Sequence, residues 1–147
     1  MFRRVARDAA GRGFSLVEVM VVLVILSILI ALAVPRYTRA IEQSRADAAA
    51  ANLRAIWAAE QLYWLDQRSY TADLASLSSL GLLDPGVLGS ALGYAYDVSL
   101  PTDGGFTATA SRTGSDAWSG QYTIDETGSF AGSVTAPGEP VIVPGFQ

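Results

Sequence analysis

An uninterrupted apolar run at residues 14–34 constrains this chain more than any other feature. Its sequence is FSLVEVMVVLVILSILIALAV, and its single charge is the carboxylate of Glu18. A helix of this length rises roughly 31 Å at about 1.5 Å per residue, which matches the hydrocarbon core of a bilayer. A carboxylate in such a segment is costly unless it is paired, so we interpret Glu18 as a functional group that needs a partner.

The composition excludes most catalytic chemistry. The chain has 147 residues without cysteine or histidine, and all ten basic residues are arginines. Disulfides, thiol nucleophiles, imidazole metal ligands and histidine acid–base pairs are therefore excluded. We predict that the protein is not an enzyme, that it has no catalytic residues, and that it binds no metal and no cofactor. The length allows one domain in addition to the apolar segment.

Charge is divided unevenly along the chain. Residues 1–13 carry four arginines and one aspartate, whereas residues 14–147 carry six arginines and thirteen acidic residues. The larger part is therefore a poor electrostatic match for the phosphates of nucleic acid. We predict no nucleic-acid partner.

Two ordinary interpretations of the apolar run leave Glu18 unexplained. A secretory signal peptide would use the A-x-A sequence at residues 31–33 as its cleavage site, but its apolar stretch is usually shorter. A simple single-pass anchor is the other alternative. Arginines lie on both sides of the run, so their distribution hardly decides its orientation.

A third interpretation accounts for every part of the N-terminus. The sequence RGFSLVEVMVVLVILSILIALAVPRY closely resembles the class III signal peptide and N-terminal methylation motif of type IV pilins and type II secretion pseudopilins. The resemblance implies that a prepilin peptidase cuts between Gly13 and Phe14 and methylates the new amine of Phe14. Glu18 falls at the family's near-invariant glutamate, and Pro35 falls at its proline, where we expect the helix to kink.

The resemblance also implies a function and a set of partners. The expected protein is a structural subunit of a type IV pilus-like filament, in which Glu18 sets the assembly register by pairing with the amine of Phe14. The implied partners are further copies of the chain, the prepilin peptidase, and an inner-membrane assembly platform with its ATPase. The subunit would wait in the bacterial inner membrane with its globular domain in the periplasm. It would then enter an extracellular pilus or a periplasmic pseudopilus.

Two alternative functions remain open at this point. A type II secretion pseudopilin is the first, and a membrane-anchored periplasmic binding or sensor domain is the second. Many type IV pilins close a C-terminal loop with two cysteines, which this chain does not have. Major pseudopilins carry an acidic calcium loop near the C-terminus, and we find no such loop motif in the sequence either. We favour the pilus subunit.

The predicted fold is α+β, with a long N-terminal helix whose second half packs on an antiparallel sheet of about four strands. Residues 36–67 contain no glycine or proline and carry an apolar stripe at helical spacing. The predicted segments are a removed leader at 1–13, a transmembrane and assembly helix at 14–35, its amphipathic continuation at 36–67, a connecting loop with a short helix at 68–93, the sheet at 94–134 and an irregular tail at 135–147.

Details of the second half follow from local signals. We expect Thr71 to cap a short helix with an apolar face of Leu74, Leu77 and Leu80, and we expect Gly81 to end it. The adjacent acids Asp125 and Glu126 are predicted to form a turn. The stripe on the long helix should pack under the sheet; it comprises Leu53, Ile56, Trp57, Ala59, Tyr63 and Trp64. Alternating segments predict strands at 94–100, 106–111, 121–124 and 129–134, with a tail that crosses the sheet edge.

Overall fold

The computed structural model describes residues 13–89, 92–102 and 104–145, without the side chains of residues 35 and 36. Most of the predicted leader therefore lies outside the described residues. The chain forms two compact units, Met1–Thr38 and Arg39–Gln147. The helices are α1 (Leu16–Gln67), α2 (Leu74–Ser79) and a 3₁₀ turn (Pro85–Leu88), and the strands are β1 (Tyr94–Ser99), β2 (Thr107–Arg112), β3 (Ser119–Asp125) and β4 (Phe130–Thr135).

The four strands form one antiparallel meander in the order β1-β2-β3-β4. Across the sheet, Tyr96 lies opposite Ala110, Ala110 opposite Tyr122, and Tyr122 opposite Gly132. All four predicted strands are present, with ends that differ by at most two residues. The predicted fold class is confirmed: a long N-terminal helix with an apolar first half accompanies a four-stranded antiparallel sheet.

The core of the second unit lies between the sheet and one face of α1. The helix contributes small and aliphatic residues at helical spacing, and the sheet contributes the large rings of Tyr94 and Tyr122. The predicted stripe is confirmed at its aliphatic members, which are fully buried. Its aromatic members lie at the edge of the core and are half-buried, because the tyrosines already fill the centre. The buried apolar residues of α1 are Ala46, Ala49, Ala50, Leu53, Ile56 and Ala59.

The short helix α2 is present, but the predicted cap is wrong. Asp73 occupies the N-cap, and its Oδ1 accepts a hydrogen bond from the amide of Ala75 at 3.0 Å. Thr71 instead accepts a bond from the amide of Asp73 through its hydroxyl, at 3.0 Å. Aspartate is preferred over threonine at the N-cap, and Asp73 directly precedes the first residue of α2. Leu77 is buried as expected, whereas Leu80 is the C-cap and is exposed.

The C-terminal tail reaches back to the sheet and the helix. Ile142 is fully buried and forms an isolated antiparallel bridge with Val134 of β4. Its carbonyl also accepts a hydrogen bond from the Tyr122 hydroxyl at 3.1 Å. The expected contact between the tail and the sheet edge is therefore present, at β4.

The acidic pair at the β3–β4 connection has the predicted turn role. Oδ1 of Asp125 accepts hydrogen bonds from the amides of Thr127 and Ser129, at 3.0 and 2.9 Å. The backbone carbonyl of Glu126 accepts bonds from the indole of Trp57 and the amide group of Gln61, at 3.1 and 3.0 Å. The turn therefore anchors the sheet to α1.

Candidate functional site

The N-terminal end of α1 begins next to the predicted processing junction. Gly13, Phe14 and Ser15 precede the helix without regular structure. The Ser15 hydroxyl accepts a hydrogen bond from the amide of Glu18 at 3.2 Å, and the Ser15 carbonyl accepts one from Val19 at 3.2 Å. A serine that accepts from the third helical amide is a standard N-cap. The Gly13–Phe14 bond therefore lies in exposed, non-helical chain just before the cap.

Gly13 is not required by its own surroundings. No atom lies within 4 Å of the position that a β-carbon would occupy at this residue, and its backbone is not in a glycine-specific conformation. Within the described residues, a larger side chain would therefore meet no obstacle. The surroundings that the structure describes therefore do not require glycine at this position.

The first part of α1 is apolar and uncovered. Large hydrophobic side chains from Leu16 to Val34 are all exposed, at fractions between 46% and 75%, and Phe14 is 80% exposed. Burying each such side chain contributes about 1.5–3 kcal/mol. The helix is long and apolar enough to cross a membrane. This surface therefore has a large driving force for burial, in lipid or against other helices.

Two polar side chains interrupt this surface in different ways. The Ser27 hydroxyl donates to the carbonyl of Val24 at 2.8 Å, so it bonds back to its own helix. Glu18 is exposed, and no cation of the described residues lies within ion-pair distance of its carboxylate. Pro35 falls inside the bounds of α1, and its expected kink stays a prediction.

A buried ion pair in the second unit escaped sequence reasoning. Arg112 binds Glu42 with two nitrogens: its Nε lies 2.5 Å from Oε1, and its Nη2 lies 3.0 Å from Oε2. The two side chains are 3% and 2% exposed. Arg112 also donates to the carbonyls of Gly93 and Thr113. A signal existed in the sequence, since Glu42 precedes Ala46, Ala49 and Leu53 at helical spacing on the face that becomes buried.

A second buried carboxylate lies on the same face of α1. The side chain of Glu60 is fully buried, and its Oε2 accepts a hydrogen bond from the amide of Thr71 at 3.1 Å. Its Oε1 has no hydrogen-bond partner among the described protein atoms. Burial raises the pKa of Glu60 above its usual value, and the Thr71 amide opposes this shift only in part.

The acidic side chains that the structure describes do not form a cation site. Among the residues that the structure describes, no group of three or more acidic side chains is placed to hold a metal ion. Asp97 lies on β1 and Asp125 at the end of β3, with β2 between them. Asp103, in the β1–β2 connection, lies outside the described residues. The hydroxyl of Thr127 lowers the pKa of Asp125, whose oxygens serve the turn.

Residues 10–34 match the family model described as the prokaryotic N-terminal methylation motif. The chain is 41% identical over 68 residues to the type II secretion system core protein G of Pseudomonas aeruginosa, over 46% of this chain and 48% of that protein. It is 33% identical over 72 residues to the type IV wide pilus major component PilA4 of Thermus thermophilus, over 49% of this chain and 55% of that protein.

A third similar protein is also a type IV pilin. The chain is 33% identical over 69 residues to the type IV major pilin protein PilA of Myxococcus xanthus, over 46% of this chain and 31% of that protein. The matches thus span about half of these relatives' lengths or less. No solved structure matches the chain significantly. The relatives are named as pilins and as a secretion-system core protein, which agrees with the prediction that this chain is not an enzyme.

Proposed function

We propose that this chain, which resembles type IV pilins and type II secretion pseudopilins in its N-terminal methylation motif and its fold, is a structural subunit of a type IV pilus-like filament. In this proposal, a prepilin peptidase cuts between Gly13 and Phe14 and methylates the amine of Phe14. The processed subunit then polymerises through the exposed first part of α1.

The observation that carries the proposal is the combination found at the start of α1. A peptide bond in exposed, non-helical chain is followed at once by the serine-capped start of α1, whose first part is apolar and whose Glu18 carboxylate has no ion-pair partner among the described residues. Cleavage would create an amine one helical turn from Glu18. The open space around Gly13 among the described residues is consistent with a glycine that serves the peptidase.

Electrostatics supports a register role for Glu18. In a packed bundle of apolar helices, a carboxylate without a partner is a large penalty, and removing one partner of a buried pair typically costs about 3–5 kcal/mol. A neighbouring subunit that presents the amine of its own Phe14 would satisfy Glu18 at one axial offset. Subunits at other offsets would leave the charge unpaired. Because each contact joins two different surfaces, the assembly extends instead of closing.

The location and the assembly partners belong to the same proposal. Before assembly, the first part of α1 would cross the bacterial inner membrane, with the sheet domain in the periplasm. An inner-membrane platform with its ATPase would then move the subunit into the growing fibre, either an extracellular pilus or a periplasmic pseudopilus. The surrounding copies of α1 would replace the lipid around residues 16–34.

The mature N-terminus tests the proposal directly. We expect mass spectrometry of the protein from cells that contain a prepilin peptidase to find N-methylphenylalanine at Phe14. The same chain from cells without that peptidase should keep the leader. A mature chain that begins at Met1, or at Val34 after signal-peptidase cleavage, would refute the filament function.

A second candidate, the type II secretion pseudopilin, is favoured by the 41% identity to core protein G of the Pseudomonas system. Both candidates share the processing step, so the processing experiment does not separate them. Deleting the gene separates them, since loss of surface fibres indicates the pilus and loss of protein export indicates the pseudopilus. We favour the pilus, because the described residues contain no acidic cluster suited to the calcium loop of major pseudopilins.

A further inference from the structure

A cleft in the second unit lies between the C-terminal end of α1 and the β1–β2 connection. Its volume is about 310 Å³, which is at the lower end of the range for small-molecule sites. Its walls are partly aromatic, partly aliphatic and partly bare backbone, with a single cation at the rim. The lining residues are Trp64, Arg68, Ser69, Tyr70, Leu100, Pro101, Gly104 and Gly105.

The cation at the rim, Arg68, has unused hydrogen-bond donors. Its guanidinium carbon lies 4.9 Å from the centre of the Trp64 ring, in a cation–π arrangement. In the part of the chain that the structure describes, this guanidinium forms no ion pair and no side-chain hydrogen bond. Arg39, Arg45 and Arg112, in contrast, all pair with glutamates. Arg68 is therefore oriented by Trp64 with its fork of N–H groups free for an anion.

The backbone of Arg68 is in a conformation that favours glycine. Its φ is 56°, and it follows directly after the last residue of α1, with its amide bonded to the carbonyl of Trp64 at 2.9 Å. Helices commonly end with glycine in this conformation, and another L-residue there costs about 1 kcal/mol. Arginine at position 68 thus destabilises the backbone, but it places a guanidinium over Trp64. This combination points to a use for the Arg68 side chain.

The aromatic wall of the cleft is held in place by ring contacts. Tyr70 stacks on Trp64 with ring centres 6.4 Å apart and packs on Phe106 at 4.8 Å. The cleft therefore offers an aromatic wall beside a cation at its rim.

We propose that this cleft binds a carbohydrate whose ring carries a carboxylate, a function beyond filament assembly. Arg68 would hold the ligand carboxylate bidentately, and Trp64 and Tyr70 would pack against the ring. One arginine balances one carboxylate. Nucleic acid fits poorly, because phosphate binding needs several cations and the lining of the cleft contains one.

The binding experiment uses the full chain in detergent micelles and follows the indole N–H signals by NMR. We expect trigalacturonate to shift the Trp64 signal in a saturable way and to bind at least about tenfold more tightly than neutral maltotriose. Arg68→Gly should bind trigalacturonate at least about tenfold more weakly while its thermal stability stays equal or rises, because glycine suits the backbone. Arg45→Ala, the matched loss of an exposed arginine elsewhere on α1, should bind like wild type.

Several outcomes would overturn the proposal. They are the absence of a Trp64 shift at about 10 mM trigalacturonate, equal binding of maltotriose, undiminished binding by a folded Arg68→Gly variant, or tighter binding of oligothymidylate than of trigalacturonate. Because the assay needs neither processing nor polymerisation, its result is independent of the filament function.

Discussion

Arg112 at the end of β2 and Glu42 on α1 form a bidentate ion pair that is almost completely buried, with nitrogen–oxygen distances of 2.5 and 3.0 Å. The pair joins the sheet to the part of α1 just after the boundary between the two units. Burying two charges carries a large desolvation penalty, so the intact pair contributes little net stability. Removing one partner is severely destabilising, because it leaves the other charge buried and unpaired.

Arg112→Met should therefore lower the free energy of unfolding by about 3–5 kcal/mol, because it leaves Glu42 charged and buried. The double variant Glu42→Met with Arg112→Met should recover much of this loss. Urea unfolding of the full chain in detergent measures both. Arg45→Ala, which removes the exposed partner of Glu42, should cost less than about 1 kcal/mol. Additive effects of the two methionine substitutions would contradict the coupling.

Gly93→Ala should be destabilising through the same arginine. At Gly93, φ is 73°, and a β-carbon would lie 2.5 Å from Nη1 of Arg112. Gly81→Ala is the matched control, since φ is 74° and the space around it is open. Both variants bear a backbone cost of about 1 kcal/mol, and only Gly93→Ala also displaces Arg112. Thermal unfolding should rank Gly93→Ala clearly below Gly81→Ala; equal melting temperatures would be incompatible with the contact.

Glu60 should make stability depend on pH. Its pKa is raised in the folded protein by burial, so the folded state favours the protonated acid. Its contribution is then complete below the pKa of the unfolded chain and is lost as the pH rises through the folded value. Glu60→Gln imitates the protonated acid and keeps an acceptor for Thr71. We expect its stability relative to wild type to increase from about pH 4 towards neutral pH, measured by urea unfolding. A pH-independent difference would contradict a titrating Glu60.

The tail should be released by two substitutions on α1. Gln43 donates to the carbonyl of Val143 at 2.8 Å, and Asp47 accepts from the amide of Gly145 at 2.9 Å. Each bond contributes about 1 kcal/mol. Gln43→Ala with Asp47→Ala should therefore speed amide exchange at Ile142, measured by hydrogen–deuterium exchange. Gln67→Ala removes only an exposed local bond and should leave this exchange unchanged.

Glu18→Ala should separate processing from assembly. Because the substitution leaves the Gly13–Phe14 junction and the Ser15 cap in place, the peptidase should still cut the chain. The loss of the pairing carboxylate should reduce the yield of fibres strongly, in line with about 3–5 kcal/mol for a broken pair in a packed bundle. Mass spectrometry measures cleavage, and electron microscopy measures the yield of fibres. Normal fibre yield from the cleaved variant would refute the register role.

Local signals in the sequence were sufficient for most of the secondary structure. The apolar run, the absence of glycine and proline in residues 36–67, and the alternation in the later segments predicted α1 and all four strands. The N-cap of α2 was predicted wrongly because Thr71 and Asp73 lie only two positions apart and both residue types are good N-caps. The folded chain uses Asp73 as the cap and the Thr71 hydroxyl as an acceptor for the amide of Asp73.

The sequence by itself determined the apolar segment, its isolated carboxylate at Glu18 and the order of the elements, because each depends on residues close together in the chain. Only the tertiary structure decided which charges are buried and paired. Glu42 and Arg112 are 70 residues apart, and the partners of Glu60, Trp57 and the tail are equally invisible in local patterns. Such contacts depend on which face of α1 the sheet covers, and that is fixed by the packing of the whole core.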